Sequence, residues 1–158
     1  MIHFIFDLDD TLIMHNNKPI HYDRIQEDFP LTKLLGTCNN KGSCYIYTNG
    51  TGSHALSILK NMKIMDIFDK IYSRDTMPYM KPYYKSFDDV HTDLSFRDPQ
   101  PKVIFFFDDQ LENLKTASQV GWVTFWIHPH HVKARDYHYV NMAFPTINDC
   151  LTYLETKI

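Results

Sequence analysis

The chain lacks nearly every feature that would take it out of a reducing, aqueous compartment. It has three cysteines, Cys38, Cys44 and Cys150, an odd number with no CxxC or Cys/His ligand spacing. That pattern reads as reduced thiols and excludes a disulfide framework. No apolar run approaches the length of a membrane span, and the N-terminal run reaches Asp7 too soon for a signal peptide. A cytoplasmic protein with no membrane partner is the expectation. Charge of one sign is also scarce. The formal net charge of −3 argues against wrapping nucleic acid by bulk electrostatics. No repeat, low-complexity tract or Gly/Ser linker divides the 158 residues, so residues 1–158 read as one domain with room for a full core.

What the chain does have is a series of short apolar runs, at residues 3–7, 44–48, about 70–73, 103–107 and 122–127. Helix-like segments alternate with them. Leu31 to Cys38 precedes the second run, and Ser53 is placed to cap a helix bearing Ala55, Leu56, Ile58, Leu59 and Met62. Tyr83 to Leu94 and Gln110 to Val120 follow, the latter stopping at Gly121 as a C′ residue. Thr146 with Asp149 resembles a capping box before a last helix. Strands alternating with helices of this length imply right-handed βαβ crossovers. The fold class is α/β, a doubly wound three-layer α/β/α domain around a parallel sheet of about five strands.

The polar residues that end these runs carry the chemistry. His3-Phe4-Ile5-Phe6 delivers Asp7 and Asp9, the second run ends in Thr48-Asn49-Gly50, and Val103 to Phe107 ends in Asp108-Asp109. Lys81, in Met80-Lys81-Pro82, precedes a helix. In a parallel sheet these groups share one edge, where open α/β sheets bind ligands. Unpaired carboxylates are costly to bury, so several at one point call for a cation, and oxygen-only ligands suit Mg²⁺. A hard cation beside a lysine and a hydroxyl is a site for a phosphate group. Hydrolysis of phosphate monoesters needs acceleration of up to about 10²¹-fold, supplied by charge neutralisation and in-line positioning.

Taken in order, Asp7-x-Asp9-x-Thr11, Thr48, Lys81 and Asp108-Asp109 resemble the four motifs of the haloacid dehalogenase (HAD) superfamily of phosphohydrolases. Tyr47-Thr48-Asn49-Gly50, Lys81-Pro82 and Phe107 to Leu114 are similar to its pyrimidine 5′-nucleotidase-like branch. The resemblance implies that Asp7 is the nucleophile and Asp9 the general acid and base. It implies Thr48, Asn49 and Lys81 as phosphate-binding residues, with Thr11 bracing the loop. Asp7, Asp9 through its carbonyl, Asp108 and Asp109 would hold Mg²⁺, Asp109 directly and Asp108 directly or through water.

Relatives of this type usually carry a cap domain that closes over the substrate. Neither the segment from Thr11 to Thr48 nor that from Thr48 to Lys81 is long enough for one. A domain without a separate cap is expected, with at most a short flap at residues 14–30, where His21, Tyr22, Asp23 and Arg24 would be at hand. An open crevice admits phosphorylated macromolecules as well as nucleotides and other small phosphates, and a second subunit could cover it.

Other residues have a functional and a bland reading. The basic and aromatic segment His128 to Tyr139 could hold a nucleotide or nucleic acid, and His128, His130 and His131 a transition metal, but an exposed polar loop is favoured. Arg74 could meet a substrate anion or make a surface ion pair, and His54 is expected to face solvent. Three rivals to a phosphatase remain: an inactive module that docks a phosphorylated partner, a mutase and a dehalogenase. The mutase would need a cap to exclude water, and the dehalogenase has no use for Asp108-Asp109.

Overall fold

The computed structural model describes residues 1–15, 25–101 and 103–158. Its centre is a sheet of strands β1 (Ile2–Phe6), β2 (Gly42–Tyr47), β3 (Phe68–Tyr72), β4 (Val103–Asp108), β5 (Val123–Ile127) and β6 (Met142–Phe144). The order is β3-β2-β1-β4-β5-β6, and every neighbouring pair is parallel. Five α-helices among the described residues cover it: α1 (Phe29–Lys41), α2 (Gly52–Asn61), α3 (Tyr84–Arg97), α4 (Leu111–Gln119) and α5 (Ile147–Glu155). The three-layer α/β class is as expected.

Strand alternation sorts the core into two halves. Phe4 and Phe6 point to one face with Ile46, meeting Leu31 and Leu35 of α1, Leu59 of α2 and Leu151 of α5. Ile5 points to the other with Tyr45, Tyr47 and Phe106, meeting Phe87 and Val90 of α3 and Leu114 of α4. Phe4, Phe6, Phe87, Phe106 and Phe107 are fully buried. Each contributes about 1.5–3 kcal/mol on burial, enough together to offset the several kcal/mol that each buried ion at the sheet edge costs. All three cysteines are free and buried, and burial pushes the Cys38 thiol up to about 12.

The sheet has six strands instead of about five. β6 is three residues long and only half buried, too short for its apolar character to register. The cap of α2 is Thr51, whose side chain accepts from the His54 amide at 3.2 Å, two residues before the expected Ser53. α1 is longer than Leu31 to Cys38. It starts behind Asp28, which accepts from the Leu31 amide, and runs directly into β2 at Gly42. A side chain at Gly42 would collide with the Ile2 carbonyl, so this junction requires glycine. Gly121 at φ +86 and Thr146, accepting from the Asp149 amide, end α4 and begin α5 as anticipated. Most of the flap at residues 14–30, including His21 to Arg24, lies outside the described residues.

β1 is where the winding reverses, with β2 on one side and β4 on the other. Such a switch point opens a crevice beyond the carboxyl ends of the strands. Phe6 is in register with Ile46 and Phe107. The next residues along, Asp7, Tyr47-Thr48 and Asp108-Asp109, therefore emerge side by side.

Candidate active site

Asp7 is fixed by its backbone before its side chain is considered. Its amide donates to the Phe107 carbonyl at 2.9 Å, extending the β1–β4 ladder by one residue. The chain then turns tightly, with the amides of Thr11, Leu12 and Ile13 all directed at the Leu8 carbonyl. Asp10 sits in the left-handed region at φ +61, which aspartate tolerates better than most residues. The turn brings the Thr11 hydroxyl back onto Asp7 Oδ2 at 3.1 Å and near Asp109 Oδ1 at 3.4 Å, the bracing part expected of it.

Lys81 joins three strands at once. Its Nζ donates to Asp7 Oδ1 at 3.0 Å, to Asp108 Oδ2 at 2.9 Å and to the Tyr47 carbonyl at 2.8 Å. All three donors of the ammonium are thereby used. Asn49 holds the lysine in place, its carboxamide both donating to the Lys81 carbonyl and accepting from the Lys81 amide, each at 2.9 Å. Thr48 lies beside Asp7 in the cavity, where its hydroxyl accepts from the Gly50 amide at 3.0 Å.

Asp108 is completely buried and accepts from three donors, Lys81, the Gln110 amide at 2.9 Å and Asn113 Nδ2 at 3.0 Å. Asp109 is partly open and accepts from Gln110 Nε2 at 3.1 Å and, more loosely, from Thr11. The three carboxylates of Asp7, Asp108 and Asp109 bring oxygen atoms within 4.8 Å of one another. Among the described residues one ammonium, that of Lys81, balances them. Burial and then the charge of Asp108 push the Asp7 carboxyl up to about 6. Burial, Asp108 and Asp7 push Asp109 up to about 9. Burial alone would lower Lys81, but Asp108 and Asp7 outweigh it and hold the ammonium above its ordinary range. A trio of oxygen donors short of positive charge fits a hard divalent cation.

Asp9 stands apart from that trio. Its carboxylate lies between two imidazoles, 2.9 Å from His15 Nε2 and 3.2 Å from His54 Nε2, while still lining the same cavity as Asp7. His54 is therefore partly buried against Asp9 and does not simply face solvent, because Thr51 starts α2 early enough to carry its first turn over the site. Sequence reading gave no role to His15 or Asn113. Nothing in spacing marks His15, but Asn113, five residues after a strand-end aspartate and in the first turn of a helix, was accessible to a geometric argument.

The other candidates separate. Arg74 forms no ion pair among the described residues; its Nε donates to the Asn49 carbonyl at 3.0 Å. His128, His130 and His131 do not gather as a metal site among the described residues, where the acidic trio is the group found. His128 stacks on Trp126 at 4.9 Å, beside a cavity that shares Asp109 and Gln110 with the reaction pocket. Among the described residues, no helix is long and apolar enough to cross a membrane.

The shifted carboxyls set the stability of the metal-free protein against pH. Their folded values lie above the ordinary aspartate value, so the stabilising contribution is complete below about pH 4. It is lost as pH rises through about 6 for Asp7 and about 9 for Asp109. His3, whose burial lowers its value, acts in the opposite sense only below neutrality. Between pH 7 and 9 the metal-free protein should therefore lose at most about 1.4 kcal/mol per pH unit. Asp109→Asn should flatten that slope. Urea midpoints measured in chelator give the answer, and stability rising across this interval would contradict the assignment.

A sequence model of the haloacid dehalogenase-like hydrolases matches residues 31–127, more than half of the chain, so the protein belongs to that family. The matched segment holds Thr48, Lys81 and Asp108-Asp109, and sheet register adds Asp7. Solved structures with the same fold include the magnesium-bound HAD-hydrolase YfnB of Bacillus subtilis, 16% identical with TM-score 0.67, covering 96% of this chain and 97% of that one. The core domain of a candidate phosphoglycolate phosphatase from Streptococcus pneumoniae is 18% identical with TM-score 0.65, covering 98% and 95%. The L-2-haloacid dehalogenase of Xanthobacter autotrophicus, with chloropropionic acid covalently bound, is 14% identical with TM-score 0.63, covering 90% and 70%.

Proposed function

We propose that this hydrolase is a Mg²⁺-dependent phosphomonoesterase working through an aspartyl-phosphate. The observation that carries the reading is the trio of Asp7, Asp108 and Asp109, two of them buried, with one lysine among the described residues to balance them. Displacing a halide has no use for such a cation site, whereas a phosphoryl group brings anionic oxygens that one would neutralise. Docking a phosphorylated partner without turnover would leave Asp9, lining the same cavity as Asp7, with no task.

In this mechanism an Asp7 oxygen attacks phosphorus as the bond to the leaving oxygen breaks, and Asp9 gives that oxygen its proton. Water then attacks phosphorus, Asp9 takes its proton, the bond to Asp7 breaks, and inorganic phosphate departs. Lys81 fixes the attacking carboxylate, and Thr48 presents its hydroxyl to the phosphoryl oxygens. Asn49 acts by holding Lys81. Asp7, Asp109 and the Asp9 carbonyl would hold Mg²⁺, which neutralises phosphoryl charge, and Asp108, its oxygens occupied by three donors, would act through water. The substrate is either a nucleotide or other small phosphate, or a phosphorylated macromolecule that an open crevice admits. Three buried free thiols suit a cytoplasmic setting.

Release of phosphate from an aryl phosphate should need millimolar Mg²⁺, stop in chelator and return when the metal is restored. Turnover that persists through chelation would exclude this mechanism, and release of halide from a haloacid would favour the dehalogenase reading.

A further inference from the structure

A second cavity of about 410 Å³ opens beside the first and shares Asp9, Asn49 and Gly50 with it; Thr51, His54 and Arg74 complete its wall. Its place is informative, resting on the mechanism proposed above. Asp9 delivers its proton to the leaving oxygen, so the body of the leaving group lies beyond Asp9, on the side where this cavity begins. Among the described residues, Arg74 is the one permanently charged cation that lines it.

Arg74 is held where it stands. Its amide donates to the Gly50 carbonyl at 2.9 Å and its Nε to the Asn49 carbonyl at 3.0 Å, fastening both backbone and side chain to the loop after β2. That loop also positions Lys81 through Asn49, so one loop holds both the guanidinium and the lysine of the reaction centre. No carboxylate or carbonyl takes up the terminal amino groups of Arg74 among the described residues. The nearby Asp75 feels its charge, but the Asp75 Oδ1 atom is engaged by Ser73 Oγ at 2.6 Å and the Gly52 amide at 2.9 Å. A planar fork of donors, anchored through its Nε and with its terminal amino groups making no hydrogen bond among the described residues, matches a carboxylate or a second phosphate.

We infer that Arg74 forms an anion subsite that selects phosphate esters whose leaving group carries a second negative charge. Two alkyl phosphates of equal length, one ending in a carboxylate and the other in the matching carboxamide, differ in that charge alone. The Mg²⁺-loaded protein should favour the carboxylate by about tenfold or more in kcat/KM. The ratio should fall to near one in Arg74→Gln and recover in part in Arg74→Lys. A ratio near one in the unmodified protein, or one that survives in Arg74→Gln, would overturn the subsite; a purely structural arginine would lower both rates and leave the ratio alone. If neither ester is turned over, the phosphatase reading fails separately, and calorimetric binding of the same two compounds decides the subsite by the same comparison.

Discussion

Asp7→Asn should abolish turnover, by at least about 10⁴-fold, while leaving the protein folded. Amide nitrogen and a neutral carboxamide oxygen do not attack phosphorus as a carboxylate does, and removing a covalent nucleophile elsewhere costs up to about 10⁶-fold. The structure predicts a second effect that separates this from simple damage. Asp7 is a carboxyl pushed up to about 6 by burial and by Asp108, so at pH 8 it is charged at a cost to the stability of the metal-free protein. Asparagine relieves that repulsion, and Lys81 keeps Asp108 and the Tyr47 carbonyl. The metal-free variant should therefore melt at or above the temperature of the parent. Acid quenching during turnover should trap phosphate on the parent and none on the variant. Retained turnover in Asp7→Asn, or phosphate trapped on it, would place the nucleophile elsewhere.

The second large effect is on stability. Lys81→Met removes the only ammonium from a buried cluster and leaves Asp7 and Asp108 facing each other. Breaking a buried ion pair on one side costs about 3–5 kcal/mol, which for a chain of this size lowers Tm by roughly 10 °C or more at pH 8 without metal. The carboxyls can escape by taking up protons, so the loss should be smaller at pH 5. Added Mg²⁺ should recover part of it by supplying the missing charge. Melting curves at the two pH values, with and without metal, distinguish this from a packing defect, which would cost the same in all four conditions.

Three of the four segments were legible in the sequence because each ends an apolar run, and Lys81 because it stands just before a helix on the same edge. A carboxylate or hydroxyl directly after a strand such as Phe4-Ile5-Phe6 has one economical place to go, and register then does the rest. Asp7, Thr48, Lys81 and Asp108-Asp109 meet as those runs suggested. What escaped reading depends on tertiary distance. β6 follows a loop whose composition hides it, and His15 and His54 reach Asp9 from opposite flanks with no shared period. Arg74 had two readings in sequence, and the geometry of the loop after β2 separates them.

The lysine tied to three strands also bears on how the protein comes into being. During synthesis Asp7 and β1 are made ahead of every other strand, but β1 finds both of its neighbours only once β4 has been made. At about 5–20 residues per second that is a delay of several seconds or more. Through it Asp7 lacks Asp108 and Asp109, so the acidic trio is incomplete on a nascent chain. The proposed activity then arises with the closing of the sheet, and reports that β4 has been made and has folded into place.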